Sequence, residues 1–493
     1  MDSNYSGKDI SHFILLYVGA IVSVYFLPNA IGYLYFGLLL ILFWRSKKNA
    51  FWFMLFYFML DPPYGLFPED FNYGLPFIKG VNIRFIELFT YVAFLKALIN
   101  KNRFQSLYYR SYQLLLVLTI ILLVYTLLLN SFSVSFIITI KWLFVWSLVY
   151  SMPKLIDTYY DWVFAFRLSF IIVFIAFLSQ LLQLGLGYSP TVLLGTNFKP
   201  MMDLNPAEYV FSKMDTAGYD ILEARPISSS SIILMGLVGA MFFQQYKKNI
   251  FPKIYLYIVI IVSYVSILLT ATRGWFIAFS VVIFLYFVFV QKIKRKAIII
   301  IVGIIAIPIL LSVPFVQKQL KGSFKRISTI EAVAQGDLSA GGTNARDKYS
   351  IELIDVWKES PWLGWGFSDV YKEYKNGHAG LANLLFGVGV IGFILFLYFW
   401  YQLFSIPITA NRLISLQNPF KGSLIVFTLA FLIYFILNAT SSQQFGIYLG
   451  FGQGVFSQIL FYCYSSFFIT MALKTDNLIK PSNTYNGYPE YYF

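Results

Sequence analysis

Apolar runs long enough to cross a lipid bilayer recur from one end of the chain to the other, separated by short polar segments. A helix rises about 1.5 Å per residue, so about 20 largely apolar residues span a hydrocarbon core. Read this way, the pattern predicts about fourteen spans. They fall near 11–27, 29–44, 49–61, 82–99, 112–130, 134–152, 159–186, 227–245, 252–271, 274–291, 297–316, 380–405, 421–440 and 446–472. Basic clusters occupy every second connection: Arg45-Ser46-Lys47-Lys48, the loop with Lys101, Arg103 and Arg110, Lys247-Lys248, and Lys292-Ile293-Lys294-Arg295-Lys296. The positive-inside bias assigns these loops to the cytoplasm and carries both termini with them. Two long connections, 187–226 and 317–379, then face outward, and loops of that length in a compact bundle are usually functional or disordered. Neither has the composition of a disordered tail. In the second, residues 346–360 put Tyr349, Leu353, Val356 and Trp357 on one side of a helix. Asp347, Lys348, Glu352, Asp355 and Glu359 fall mostly elsewhere. This is an amphipathic helix stopped by Pro361 and suited to a membrane surface.

Composition narrows the class. The 493 residues are 58% hydrophobic and 12% charged, whereas about a quarter of a soluble domain is charged. The chain therefore reads as an all-α, polytopic transmembrane helical bundle, a single integral membrane domain over 1–493. The start, MDSNYSGKDI, lacks the basic opening and cleavage site of a signal peptide, so the first span is read as retained. A net charge of +14 invites a nucleic-acid partner, but the basic residues sit in short loops rather than on a stripe. They are read as topology, with no nucleic-acid partner. The single cysteine, Cys463, excludes an intramolecular disulfide or a cysteine-built metal site.

Several charged residues fall where chemistry is expected. Arg225 precedes Pro226 and the run Ser228 to Ser231 that opens a span. A helix N-terminus with a planar guanidinium beside it suits a phosphate; an interfacial marker is the equal alternative. Arg273 lies in the tight outward connection Thr270-Ala271-Thr272-Arg273-Gly274, against the charge bias of the other loops, which favours a task. His378 lies where the chain re-enters the membrane, and histidine is the commonest neutral-pH base. An isolated loop histidine without a role is the plainer reading. Arg346 is either an anion ligand at the amphipathic helix or a solvated charge. Lys318, Lys321, Lys325 and Arg326 give the second long loop a basic entrance, suited to acidic head groups or a diphosphate, or form a plain charge run. Lys141 lies mid-span with no local acidic partner and is kept as a ligand for a lipid diphosphate. Arg84 and Glu87 have the spacing of an intrahelical pair. Asp-x-Asp, His-Glu-x-x-His, P-loop and Gly-x-Ser-x-Gly elements are all missing, so the expected chemistry is metal-free and needs no cofactor, with cationic side chains meeting phosphate charge.

Thr270 to Gly274, a basic loop, one further span and a large outward loop come in that order. Trp357, the run Ser360-Pro361-Trp362-Leu363-Gly364-Trp365-Gly366, His378, and Asn383 to Gly392 follow. This series resembles the O-antigen polymerase and O-antigen ligase superfamily, most clearly over 260–395. The resemblance implies a C-type glycosyltransferase fold in the bacterial cytoplasmic (inner) membrane. It implies an undecaprenyl-diphosphate-linked oligosaccharide as donor and another as acceptor, with transfer on the periplasmic side. Membrane lipid and a chain-length regulator are the further partners it suggests. By position His378 matches the family's essential histidine, and Arg225 and Arg273 its essential arginines. The remaining substrate-binding candidates are Arg346, Arg326, Lys141 and Lys321. The polymerase branch is described by arginine followed by glycine sixteen positions on. Arg326 with Gly342 fits, whereas Arg225 meets Met241. The expected function is an inverting polysaccharide polymerase. Alternatives are a ligase that passes the glycan to lipid A-core and a lipid-linked oligosaccharide transporter. A protein-directed oligosaccharyltransferase expects Trp-Trp-Asp, which is missing.

Overall fold

The computed structural model describes residues 6–60, 74–78, 81–100, scattered positions within 113–128, 147–186 except 157, 230–245, 250–269, 273–290, 351–374 except 367, 380–426, and three positions in 469–473. Helices form where leucine-, isoleucine- and phenylalanine-rich runs satisfy their own backbone, as lipid demands. They are α1 (Gly7–Tyr25), α2 (Asn29–Arg45), α3 (Asn49–Leu60), α4 (Phe85–Ile99), α5 (Leu148–Leu155) and α6 (Tyr159–Leu186). There follow α7 (Ser230–Gln245), α8 (Lys253–Leu269), α9 (Arg273–Phe289), α10 (Asp369–Tyr374) and α11 (Gly380–Leu413). Two helical stretches, Tyr159–Leu182 and Leu381–Leu413, are each long and apolar enough to cross a membrane, and four shorter apolar helices accompany them. The expected spans near 297–316 and 446–472 lie wholly or largely outside the described residues, as does most of 134–152.

One feature departs from an all-helical reading. Strands β1 (Gly74–Ile78) and β2 (Val81–Arg84) pair antiparallel, Gly74 opposite Arg84 and Ile78 opposite Val81, with an irregularity between Pro76 and Ile78. The expected span at 82–99 therefore starts at Phe85. Arg84 closes the strand and Glu87 lies in the first turn of α4, so their spacing spans the helix start rather than the helix interior; the Arg84 side chain lies outside the described residues. The apolar count carried no mark of this, because the β-branched Val81 and Ile83 suit a strand as well as a span end.

Close packing follows from small and aromatic residues. Gly236 and Gly239 of α7 lie against Val173 and Phe166 of α6, where an added Cβ would stand 2.4 and 2.8 Å away, a small-residue seam of the membrane kind. Gln180 of α6 donates through Nε2 to the Ser266 carbonyl of α8 at 3.1 Å. Phe56 stacks on Phe89 with centroids 4.3 Å apart, beside Phe43 at 4.8 Å from the same ring.

One end of the bundle collects the helix ends that flank basic loops. Lys48 Nζ binds Asp9 Oδ1 at 2.6 Å, joining the start of α1 to the end of α2. Lys96, in the last turn of α4, donates to the Phe43 and Ser46 carbonyls at 2.7 and 2.6 Å and to Asn49 Oδ1 at 2.7 Å. It thereby caps the free carbonyls at the end of α2. Asn49 Nδ2 in turn donates to the Leu155 carbonyl at 2.9 Å. Further round, Phe242 stacks on Phe420 with centroids 4.6 Å apart.

Candidate functional site

Residues 351–366 and 368–374 are the described part of the second long loop. Residues 351–357 are helical, and Leu353 is buried in a cluster with Tyr371 and Phe386, flanked by Val356, Trp357, Trp365 and Val370. The apolar side expected from the sequence thus packs on protein, while Glu352, Asp355, Lys358 and Glu359 are exposed. The chain then turns through Ser360 to Gly366. Ser360 Oγ lies 2.7 Å from the Gly364 carbonyl and 3.0 Å from the Tyr125 hydroxyl. A serine hydroxyl has one proton, so Ser360 donates to the carbonyl and accepts from Tyr125. Trp365 Nε1 donates to the Val356 carbonyl at 3.1 Å, folding the turn back on its helix.

This turn docks on a break in α11. Gly389 has φ 63° and ψ −173° inside that helix, a region open essentially to glycine alone. Breaking a helix frees carbonyls before the break and amides after it, and the turn takes up both sets. The Trp365 and Gly366 amides donate to the Phe386 and Gly387 carbonyls at 2.9 and 2.7 Å. The Val390 and Ile391 amides donate to the Pro361 and Trp362 carbonyls at 2.9 and 3.2 Å. Gly364, with φ 71°, lies so close that a Cβ there would come within 2.5 Å of the Gly389 nitrogen. A Cβ on Gly389 would come within 2.3 Å of the Trp362 oxygen. Two glycines are therefore required by contact as well as by dihedral. Below the break, Gly392 faces Leu118.

The clasp continues into α10. The Ser368 amide donates to the Trp365 carbonyl at 3.1 Å. Ser368 Oγ accepts from the Tyr371 amide at 3.2 Å, as an N-terminal cap does. Tyr371 stacks on Phe386 with centroids 5.7 Å apart and planes 21° apart. Tyr374 ends α10 and Gly380 opens α11. Both ends of the connection 375–379 thus run into helices that rest on one cluster around Phe386.

Of the residues singled out in the sequence, Arg273 is the first of α9, four positions beyond the end of α8. Tyr264 and Ser280 hydroxyls meet at 3.1 Å across these two helices. The side chain of Arg273 lies outside the described residues, as do His378, Arg225, Arg346, Arg326, Lys141 and Lys321 in full. The structure brings none of them together or apart. Sequence reading used Ser360, Gly364 and Gly389 only as marks of the family resemblance, and it passed over Tyr125, although Gly387-Val388-Gly389 inside an apolar run is a signal for a bend or close approach. It also passed over Lys96. That lysine borders a cavity of about 460 Å³ at the other end of the bundle, with Trp44, Lys47, Asn100, Thr158 and Asp161 also lining it. Lys96 and Asp161 are both hydrogen-bonded within the protein, so these two serve the packing of helix ends.

Residues 256–397 match the Wzy_C family model, described as O-antigen ligase. The matched stretch runs from α8 through the clasp to the middle of α11, under a third of the chain. A search among curated proteins finds no match. Over that stretch the chain is similar to the O-antigen polymerase and ligase superfamily, whose members are membrane-embedded enzymes of glycosyltransferase type. The apolar helices of the bundle agree with that placement.

Proposed function

We propose that the protein is a polysaccharide polymerase that moves a glycan from an undecaprenyl-diphosphate donor to the sugar hydroxyl of a second lipid-linked repeat. The observation that carries this reading is the family match over 256–397, which contains both Arg273 and His378. His378 accepts the proton of the acceptor hydroxyl as that oxygen attacks the donor's anomeric carbon. The bond from this carbon to the diphosphate oxygen breaks, the leaving group keeps the electron pair, and the configuration inverts. Arg225 and Arg273 meet the charge that grows on the diphosphate. Arg326, Lys321, Arg346 and Lys141 draw the anionic donor toward the site. Reaction takes place on the periplasmic side of the bacterial cytoplasmic membrane, with both termini in the cytoplasm. The gathering of Lys48 and Lys96 around the connection between α2 and α3 supports that sidedness.

A second reading has its own support, since the matching family is described as O-antigen ligase. A ligase uses the same donor and the same base but a lipid A-core acceptor. Cells without the protein separate the two: loss of a polymerase leaves single repeats on the surface lipid, and loss of a ligase leaves bare core. The transfer step itself is tested with purified protein and lipid-linked oligosaccharide extracted from producing cells. His378→Ala is expected to lose at least about 100-fold in turnover, the scale of general-base catalysis. Wild-type turnover in that variant would refute the assignment of the base.

A further inference from the structure

We propose that the cavity beside Lys96 is a binding site for one phospholipid with a phosphoethanolamine head group, taken from the adjacent leaflet. The cavity lies where the end of α2, the end of α4 and the start of α6 meet. Its volume of about 460 Å³ falls among those of small-molecule sites, roughly 300–1,000 Å³. Its lining carries both signs of charge, Lys47 and Lys96 together with Asp161.

The three charges have different parts. The hydrogens of the Lys96 ammonium go to the Phe43 and Ser46 carbonyls and to Asn49 Oδ1. An ammonium has three donors, so Lys96 offers the cavity a fixed positive field and no further bond. Lys47 is exposed, and its ammonium makes no hydrogen bond or ion pair among the described residues. It is the group that can close on a phosphate oxygen, as a point charge on a flexible stem. Asp161 is 7% exposed. The Thr158 hydroxyl donates to its Oδ2 at 2.5 Å, and its own amide donates back to Thr158 Oγ1 at 3.1 Å. These bonds pin the carboxylate at the start of α6. A carboxylate has about four acceptor sites, enough for internal bonds and for the N–H groups of an ammonium as well. A buried carboxylate asks for a cation and the two lysines for an anion. A head group with a phosphate and a primary ammonium answers both.

The mouth of the cavity identifies the source as a lipid. Trp44 and Ile99 border it and are 43% and 69% exposed. They end two exposed apolar stripes, with Leu38 and Ile41 on α2 and Leu95 and Leu98 on α4, at the three- and four-residue spacing of one helix face. α2 and α4 pack on each other, so the polar cavity opens at the head of an apolar seam. Tryptophan at such a level is the usual anchor at a lipid–water boundary. A free phosphate or a soluble amine has no use for an apolar mouth. The site is independent of the glycan-transfer reading, and an occupant would stabilise the three helix ends by mass action.

The test uses the full chain in detergent micelles and native mass spectrometry. The probes are phosphatidylethanolamine, phosphatidylcholine and phosphatidylglycerol with identical acyl chains. One phosphatidylethanolamine is expected to stay bound per chain. Phosphatidylcholine should bind about ten-fold more weakly, because its trimethylated nitrogen has no N–H for Asp161. Phosphatidylglycerol, which lacks the ammonium, should also bind more weakly. Lys47→Ala should weaken phosphatidylethanolamine binding by about three- to ten-fold, the screened value for an exposed charge, at an unchanged thermal midpoint without lipid. Asp161→Asn should remove the preference for phosphatidylethanolamine over phosphatidylcholine. If that variant does not accumulate as folded protein, the lipid series and Lys47→Ala decide. No retained lipid, equal affinity for phosphatidylethanolamine and phosphatidylcholine, tighter phosphatidylglycerol, or wild-type affinity in Lys47→Ala each overturns the proposal. Displacement of the lipid by free phosphoethanolamine at matching concentration overturns the assignment to a lipid.

Discussion

Replacing Gly389 with alanine should unlatch the loop from α11 without unfolding the bundle. Two terms set the magnitude. Alanine at φ 63° and ψ −173° sits in a region essentially closed to side chains, which costs about 1–3 kcal/mol. Its Cβ would lie 2.3 Å from the Trp362 oxygen and 2.5 Å from the Gly364 nitrogen, far inside contact distance, so the turn must move away. The bonds from Val390 and Ile391 to the Pro361 and Trp362 carbonyls go first, at about 0.5–1.5 kcal/mol each. Together these destabilise the docked arrangement by about 4 kcal/mol, close to three powers of ten in the docked-to-open equilibrium. Amide hydrogen exchange reads that equilibrium locally. The amides of Trp365, Gly366, Val390 and Ile391 should exchange about a thousand-fold faster in Gly389→Ala, while those of α6 and α7 stay protected. Exchange of the four amides within tenfold of wild type would show that the break tolerates a side chain, and the reasoning from contact distance would fail.

Other outcomes follow from the opposite end of the bundle. Lys96→Met should destabilise the protein by about 2–3 kcal/mol, less than three charge-assisted bonds would suggest, because the adjoining cavity lets water reach the abandoned carbonyls. Denaturant titration in micelles measures this, and a loss under about 1 kcal/mol would contradict the capping role. Asp9, which precedes the apolar run 11–27, supplies a pH dependence. Burial pushes its carboxyl up, but the Lys48 ammonium at 2.6 Å, the Ser6 amide at 2.6 Å and the Ser6 hydroxyl outweigh this and hold it below the usual 3.8. A carboxyl depressed by folding contributes stability that is complete above its unfolded value and fades as pH falls through the folded one. Below about pH 4, wild-type protein should therefore lose stability that Asp9→Asn never had, and parallel acid profiles for the two would refute this.

The pattern of apolar and polar positions was enough to place most of the helices. The ends of α2, α6, α7 and α8 fall within a few residues of the expected bounds, because in lipid a backbone must bond to itself and an uninterrupted apolar run has no other solution. The inward side of 351–357 was readable because it depends on local spacing alone. The family resemblance over 260–395 agrees with the match over 256–397 for a similar reason, since its marks are consecutive residues. Tertiary structure decided the rest. The hairpin before α4 needs two segments to find each other. Gly387-Val388-Gly389 signals a bend or a close approach, but local sequence does not say which of the two. That depends on whether another chain segment arrives to bond the freed amides and carbonyls, and here residues 361–366 do. Ser360 likewise gains its meaning from Tyr125, and Lys96 from Phe43 and Ser46, partners far away in sequence. The sequence alone determined where most of the described helices lie. Only the folded chain decided which backbone groups could be left unbonded by their own helix, because that depends on what lies opposite.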